Sequence, residues 1–277
     1  MTPSAQPFFL ATAAGRRFCL HHPPQRELRG AVLYLQPFAE EMNKSRRMVA
    51  EMARRLARQG YAVLQIDLAG CGDSEGDFAD ASWSAWQDDI GAADAWLQTQ
   101  YPGQPLILWG LRLGGLLAAA YAAAHPQRCR QLLLWAPVAN GEQFLTQFLR
   151  LRVANRMLTG EQGGGTQQSM QQLHAGEAVE IAGYMLAPQL ALPLADARLS
   201  GWLTPAMRVD WFELVASADR PLPPVAEKLA GAWREQGSTI NLQRLTGEAF
   251  WNTQEITDVP ALWDASLNAL VEHDAVS

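Results

Sequence analysis

Arg112 lies between two glycines in the stretch Gly110-Leu111-Arg112-Leu113-Gly114. This spacing is suited to a tight turn that presents one side chain for binding or catalysis. An apolar run precedes it and an Ala-rich segment follows, which is typical of a buried strand that turns sharply into a helix. The two glycines fit a turn too tight for side chains. A guanidinium there stays charged, and the amides of the helix N-terminus also favour anions. The stretch predicts that Arg112 binds a carboxylate, phosphate or acyl-phosphate group bidentately.

An internal role for Arg112 is the alternative. Burying an unpaired guanidinium is too costly, and carboxylates are plentiful in the loops that we expect near the turn. The candidate internal partners are Glu40, Glu41, Asp219 and Glu248. In that case the arginine fills its own pocket, and the sequence leaves both interpretations open.

Strand and helix patterns alternate through the first half of the chain and again near its end. After an opening hairpin at residues 8–20, the predicted strands are 31–36, 61–67, 105–109, 131–138, 209–216 and 239–244. The predicted helices between them include 44–59, 84–100 with Ser84 and Gln87 as a capping box, 225–236 and 258–272. Short connections in this alternation indicate a mostly parallel sheet with helices on both faces. Because such sheets bind ligands at the carboxyl ends of their strands, we expect the site in the loops after residues 36, 67, 109 and 138.

The alternation breaks from about residue 141. Residues 144–151 suggest a helix, Gly163-Gly164-Gly165 and the Gln-rich stretch to Gln172 are typical of a flexible loop, and 181–196 resumes a helical pattern. We interpret residues 140–207 as a lid inserted over the carboxyl edge of the sheet. Residues 1–139 and 208–277 then form the core.

Four segments resemble motifs of the α/β-hydrolase superfamily, in the family's order. The stretch around Arg112 resembles its Gly-x-Ser-x-Gly nucleophile elbow, and Gln36-Pro37-Phe38 resembles its His-Gly-Phe turn. Residues 67–74 resemble its Asp-x-x-Gly-x-Gly-x-Ser turn, and Ala218-Asp219 resembles its triad-acid loop. The resemblance implies an α/β-hydrolase fold, with a mostly parallel central sheet flanked by helices and a helical lid insertion.

A narrower resemblance rests on three segments: residues 110–114, residues 38–47 and Gly247-Glu248-Ala249-Phe250-Trp251. In these the chain looks like the second of the two hydrolase-type proteins associated with the exosortase A system. Those proteins are encoded near the machinery that sorts PEP-CTERM proteins and makes exopolysaccharide. This resemblance implies a genomic setting and not a reaction.

Two departures from the superfamily pattern bear on activity. Arg112 stands where the family has its serine, and it has no lone pair with which to attack a carbonyl. The triad histidine is expected near residues 246–251, and the five histidines stand elsewhere, at His21, His22, His125, His174 and His273. Cys71 is a further candidate nucleophile, but it has no identifiable histidine partner. We expect no Ser-His-acid hydrolase activity, and the catalytic residues stay unknown.

The resemblance places further candidates around Arg112. The backbone N–H groups of Phe38 and Leu113 correspond to those that stabilise an oxyanion. Family geometry places one of Glu40 and Glu41 near the pocket, Asp219 corresponds to the triad acid, and Trp251 lies in a loop near the site. The predicted ligand-binding residues are Arg112, Phe38, Glu41, Leu113, Asp219 and Trp251.

Composition argues against several partners. The 277 residues carry a net charge of −6 without a basic block, which argues against nucleic acid. The longest apolar run, residues 114–124, is too short to span a bilayer. Three cysteines without paired spacing and the absence of a signal-peptide pattern favour a cytoplasmic protein. Without metal-ligand spacing or cofactor motifs, we expect no metal and no cofactor.

We therefore expect an atypical superfamily member that binds or acts on an anionic or acyl-bearing small molecule. A second hypothesis is a hydrolase or acyltransferase with rebuilt catalytic residues, in which an Asp or Glu acts through water and Arg112 stabilises the oxyanion. A third is a scaffold that binds a protein partner through its lid.

Overall fold

A central sheet of eight strands organises the protein. The computed structural model describes residues 5–159, 165–202 and 207–274. In chain order the strands are β1 (Gln6–Thr12), β2 (Gly15–His22), β3 (Gly30–Leu35), β4 (Tyr61–Ile66), β5 (Leu106–Leu111), β6 (Cys129–Trp135), a separate hairpin of β7 (Val179–Ile181) and β8 (Tyr184–Leu186), then β9 (Arg208–Val215) and β10 (Thr239–Thr246). The order across the central sheet is β1-β2-β4-β3-β5-β6-β9-β10.

Six neighbouring strands of this sheet, from β4 to β10, run parallel. The opening hairpin adds the antiparallel pairs β1–β2 and β2–β4. Every residue of β3 and β5 is buried, as expected of strands covered by helices on both faces. The carboxyl ends of β3, β5, β6, β9 and β10 therefore meet at one edge of the sheet.

Helices cover both faces of the sheet, and the predicted fold class is confirmed. The flanking helices are α1 (Glu40–Arg58), α2 (Trp83–Gln100), α3 (Leu113–Ala124), α7 (Pro224–Glu235) and α8 (Pro260–Asp274). On one face α1 and α8 pack through an apolar cluster that includes Met52 and Trp263. On the other face α2, α3 and α7 pack through a second cluster, with Ile90, Leu117 and Trp233 among its members. These helices fix the sheet edge on which the site lies.

An insertion lies between β6 and β9. It consists of α4 (Gly141–Thr159), α5 (Thr166–His174), the β7–β8 hairpin and α6 (Pro188–Asp196). The Gly141 N–H donates to Ala197 O at 2.9 Å, and the Leu199 N–H donates to Ala139 O at 3.0 Å. These bonds join the two ends of the insertion near residues 139–141 and 197–199. The lid boundaries at 140 and 207 stay a prediction.

Two expectations for the insertion were wrong. Part of the Gln-rich stretch expected to be a flexible loop forms α5, because Ser169 and Leu173 give that helix a buried side. The beginning of the stretch expected to be helical forms the β7–β8 hairpin instead. Its turn contains Ala182 and Gly183, both at positive φ, and glycine makes such a turn accessible. Gly163 and Gly164 lie outside the described residues.

The start of α2 also differs from the prediction. Ser82, and not Ser84, is the N-cap residue, and its hydroxyl oxygen accepts a hydrogen bond from the Ala85 N–H at 3.1 Å. A serine at this position satisfies one of the unpaired amides of the first turn. The N-cap therefore lies two residues before the predicted position.

The longest apolar run of the chain forms α3, which is buried against β3, β5 and β6. Within the described ranges no helix is long and apolar enough to cross a membrane. The same residues contain no group of three or more side chains placed to hold a metal ion.

Candidate functional site

Arg112 forms the sharp turn between β5 and α3. Its backbone has φ 54° and ψ −116°, a strained region that residues with a side chain seldom adopt. The Arg112 N–H donates to Trp135 O at 3.0 Å, and the Arg112 carbonyl accepts from the N–H groups of Gly115 and Val138. These bonds hold the turn against β6 and the loop that follows it.

Gly110 and Gly114 are required by close backbone approach. A Cβ atom on Gly110 would lie 2.4 Å from the amide nitrogen of Gly115. A Cβ atom on Gly114 would lie 2.1 Å from Leu35 O at the end of β3. The prediction of a turn too tight for side chains is therefore confirmed, and the loop after β3 lies directly beside it.

The Arg112 side chain is 21% exposed and has internal partners. Its Nε donates to Glu41 Oε1 at 3.3 Å, and its Nη1 donates to Ala136 O at 3.2 Å. Its guanidinium carbon lies 5.2 Å from the ring centre of Trp251 and 5.9 Å from that of Phe144, within range of cation–π attraction. Nη2 has no hydrogen-bond partner among the described residues. The arginine is thus paired internally, with part of its guanidinium still available.

Glu41 is the acidic partner of Arg112. It stands in the first turn of α1, directly after the Ala39–Glu40 corner, and its side chain is 10% exposed. Burial raises the pKa of the Glu41 carboxyl, and the charge of Arg112 opposes that rise. Its Oε2 is buried without a hydrogen-bond partner in the described structure, as is Oε2 of Glu40. The ion pair therefore leaves hydrogen-bonding atoms unsatisfied on both sides.

Two cavities flank the guanidinium. The Glu41 cavity, of about 180 Å³, is lined by Phe38, Glu41 and Phe148 among others. The Glu213 cavity, of about 210 Å³, is lined by residues 136–140, by Glu213 and by the start of α7. Arg112, Phe144 and Gln147 line both cavities and so separate them. A ligand in either cavity lies next to the guanidinium.

Glu213 is a site residue that sequence reasoning missed. It lies near the carboxyl end of β9 and is only 9% exposed, and its Oε1 accepts a hydrogen bond from Trp211 Nε1 at 2.8 Å. Burial raises the pKa of the Glu213 carboxyl to about 7, against the opposing effects of the Trp211 hydrogen bond and the Arg112 charge. A glutamate within a predicted buried strand was the available signal, because buried carboxyls are uncommon.

Phe38, Leu113 and Trp251 surround Arg112. The Phe38 ring meets the Phe148 ring edge-on at 4.9 Å and forms part of the wall of the Glu41 cavity. Trp251 follows β10 and packs its buried ring against the guanidinium. Leu113 begins α3, and its backbone N–H, like that of Phe38, has no acceptor in the described part of the chain. Their ligand-binding role stays a prediction.

Asp219 does not pair with Arg112. Its side chain is exposed in the loop after β9, where a hydrogen bond from Ser217 lowers the pKa of its carboxyl. Glu248 accepts a hydrogen bond from the Thr257 hydroxyl at 3.0 Å instead. Of the four candidate partners that the sequence left open for Arg112, Asp219 is ruled out because its loop carries it into solvent. Its ligand-binding role stays a prediction.

The other candidate nucleophile and bases lie away from this site. Burial raises the pKa of the Cys71 thiol to about 12, so the thiol is protonated at neutral pH. His21 and His22 end β2, His125 follows α3, and His174 ends α5. Among the described side chains, no histidine lines either cavity beside Arg112.

A family profile described as serine aminopeptidase, S33, matches residues 27–179, more than half of the chain. The matched part includes the turn after β3, the elbow and α4. A search of curated protein sequences finds no match.

Solved structures with the same fold cover nearly the whole chain. Est1E from Butyrivibrio proteoclasticus, with ferulic acid bound, has a TM-score of 0.69 and 15% identity, over 97% of this chain and 99% of that chain. A thermostable carboxyl esterase from Bacillus coagulans, in complex with glycerol, has a TM-score of 0.68 and 14% identity, over 99% of both chains. Mouse alpha/beta hydrolase domain-containing protein 10 has a TM-score of 0.59 and 16% identity, over 99% of this chain and 100% of that chain. At these identities the likeness shows the fold alone.

Proposed function

The chain belongs to the serine aminopeptidase S33 family of the α/β-hydrolase superfamily, and from this premise we propose that it binds a small anionic or acyl-bearing molecule at Arg112 without Ser-His-acid chemistry. One observation carries the proposal: Arg112 occupies the strained elbow turn at φ 54°, the position of the nucleophilic serine in the superfamily pattern. The turn is preserved, and the side chain on it is a cation.

Two observations support the proposed loss of serine-hydrolase chemistry. A guanidinium offers no lone pair for attack. The Cys71 thiol holds its proton because burial raises its pKa to about 12, and among the described side chains no histidine lines the cavity that contains Cys71. A binding role needs none of these groups.

The ligand class is proposed from the surroundings of the guanidinium. Nη2 has no partner among the described residues, so an oxygen atom of a ligand can accept a hydrogen bond from it. Phe38, Phe144 and Phe148 supply apolar wall to the Glu41 cavity, which suits an acyl or aromatic body. Specific polar groups in a largely apolar pocket are typical of small-molecule sites.

Probe labelling and calorimetry test the proposal. We expect a fluorophosphonate probe not to label the protein stoichiometrically. We also expect acetyl phosphate or hexanoate to bind, with an affinity at least tenfold weaker in Arg112→Met, because a charge-assisted hydrogen bond contributes about 1.5–3 kcal/mol. Arg244→Met is the matched control, since Arg244 is an exposed arginine on β10. Stoichiometric labelling, with hydrolysis lost when the labelled residue is replaced, overturns the proposal.

A rebuilt hydrolase is the second candidate, and Glu213 favours it. Because burial raises the Glu213 pKa to about 7, this carboxyl can take a proton from water near neutral pH. Arg112, on the same cavity, would stabilise a developing oxyanion. Turnover of a p-nitrophenyl ester should then disappear in both Glu213→Gln and Arg112→Met. Turnover that both variants retain contradicts this candidate.

We also propose the exosortase A setting and a cytoplasmic location. In support, the three segments of the narrower resemblance meet in space: Glu41 pairs with Arg112, and Trp251 packs on it. The three cysteines are free and buried, as in proteins of reducing compartments. Deleting the gene from its host should disturb PEP-CTERM sorting or exopolysaccharide, and a host unchanged in both respects contradicts the setting.

A further inference from the structure

The Glu213 cavity is lined by a guanidinium and a carboxyl group that do not hydrogen-bond to each other. Arg112 and Glu213 both line it, yet they form no ion pair with each other, and the arginine pairs with Glu41 instead. On the arginine, Nη2 lacks a protein partner among the described residues. On the glutamate, Oε1 accepts from Trp211 and Oε2 has no such partner. Both unsatisfied atoms belong to groups on one cavity wall.

The rest of that wall is apolar or neutral. The turn after β6 contributes Ala136, Pro137 and Val138, and the start of α7 contributes Pro223 and Val225. The amides come from Asn140, Gln143 and Gln147, and Phe144 adds a ring. Among the described residues that line this cavity, Arg112 is the one charged side chain besides Glu213. Its charge is also the one that acts on the Glu213 carboxyl. The local charge therefore depends on whether Glu213 holds its proton.

An ionised Glu213 and an anionic ligand would repel each other, whereas a protonated Glu213 offers an O–H donor. A ligand carboxylate has two oxygens, so it can accept from Arg112 Nη2 and from the Glu213 O–H together. Hydrogen bonds between a carboxylic acid and a carboxylate are short and strong. A neutral ligand could not use the arginine's charge in the same way.

We propose that Arg112 and Glu213 together bind the carboxylate of a small monocarboxylic acid in the Glu213 cavity, with Glu213 protonated and donating to it. This inference rests on the proposed function and names its ligand class and second contact residue. The volume of about 210 Å³ fits a short-chain or aromatic acid, because an apolar protein cavity of about 150 Å³ holds benzene.

Calorimetric titration of the full chain with benzoate tests the inference, with benzamide as the neutral isostere. We expect benzoate to bind about 30-fold more tightly at about pH 6 than at about pH 8.5, because only the protonated fraction of Glu213 is competent. Glu213→Gln should bind benzoate with little pH dependence, since its amide N–H donates at every pH. The matched surface variant Glu227→Gln, at an exposed position of α7, should keep the wild-type pH dependence.

The outcomes separate this inference from the proposed function. Benzoate binding that is lost in Arg112→Met but does not change with pH in the wild type overturns the role of Glu213 and leaves the proposed function standing. Benzamide binding as tightly as benzoate overturns the carboxylate class. No benzoate binding at about pH 6 also overturns this inference, while the proposed function is judged by acetyl phosphate binding and fluorophosphonate labelling.

Discussion

The ion pairs of Arg17 and Arg112 differ in burial and in their consequences. Arg17 on β2 donates from Nε to Asp89 Oδ1 at 2.7 Å, and the two side chains are 1% and 3% exposed. Arg112 at the elbow donates from Nε to Glu41 Oε1 at 3.3 Å, and those side chains are 21% and 10% exposed. Both are arginine–carboxylate pairs, but the second pair is longer, and its arginine lines two cavities.

The remaining polar atoms of each pair explain the contrast. Arg17 also donates to the carbonyl oxygens of Ala14 and Arg16, and Asp89 Oδ2 accepts from the Ala69 N–H at 2.8 Å. In the elbow pair, Arg112 Nη2 and Glu41 Oε2 have no partner among the described residues. A buried pair with its atoms satisfied holds the structure together. A pair with unsatisfied atoms beside a cavity is available to a ligand.

The largest effect is expected at the closed pair. Arg17→Met leaves the Asp89 charge buried without its partner, so the free energy of unfolding should fall by about 3–5 kcal/mol. Urea denaturation measures this fall. The double variant Arg17→Met/Asp89→Asn should regain part of the loss, because the uncompensated charge is gone. If Arg17→Met loses less unfolding free energy than Arg112→Met, the Arg17–Asp89 pair is not the more structural of the two ion pairs.

The next effect concerns the carboxyl that faces the open pair. Burial raises the Glu213 pKa from 4.5 to about 7, so between these pH values the folded state binds more protons than the unfolded state. Its share of stability is complete below pH 4.5 and is lost as pH rises through 7, by roughly 3 kcal/mol in total. Glu213→Gln has no carboxyl to ionise and should lack this pH-dependent loss. Its free energy of unfolding, measured by urea denaturation, should therefore fall less steeply as pH rises than that of the wild type. Parallel plots of the free energy of unfolding against pH for variant and wild type contradict the prediction.

A smaller effect on stability is expected at the open pair itself. Arg112→Met should lower the free energy of unfolding by about 1 kcal/mol or less, because the pair is partly exposed and Glu41 can take up a proton. Urea denaturation beside Arg17→Met measures the difference. A loss equal to that of Arg17→Met would show that the elbow arginine is a structural residue.

The smallest effect is expected at the exposed loop acid. Asp219→Asn should change neither the urea midpoint nor the affinity for acetyl phosphate, since Asp219 is exposed and lies outside both cavities. The same denaturation and calorimetry measure it. Binding that weakens tenfold in this variant would return Asp219 to the site and sharpen the account of the ligand.

Much of the fold could be predicted because its pattern is local. The apolar runs at β3, β5 and β9 predict buried strands, and the glycines around Arg112 predict a tight turn. Each of these patterns can be recognised within a few consecutive residues. The prediction failed where packing decides: Ser169 and Leu173 form a helix because the insertion buries them. It failed again at the Ala182-Gly183 turn, where a hairpin replaced an expected helix.

The sequence did not determine which acid pairs with Arg112, and the ligand-binding role of this arginine stays a prediction. Glu40, Glu41, Asp219 and Glu248 were equally open partners for Arg112, because the sequence does not say which loop ends where. The close approach of Leu35 O to Gly114 sets the loop after β3 beside the elbow, and so Glu41 reaches the guanidinium. Asp219 lies in solvent, although its loop matches the family motif.

The sequence by itself determined the parallel sheet, the tight elbow and a permanent cation where the superfamily has a serine. Only the tertiary structure decided how that cation is used. Ion pairing and the pKa of a carboxyl depend on distance and burial across strands that are remote in the chain. Glu41, from the β3 side, pairs with Arg112, and Glu213, from β9, lines a cavity with it. The two cavities exist only once the sheet edge is assembled.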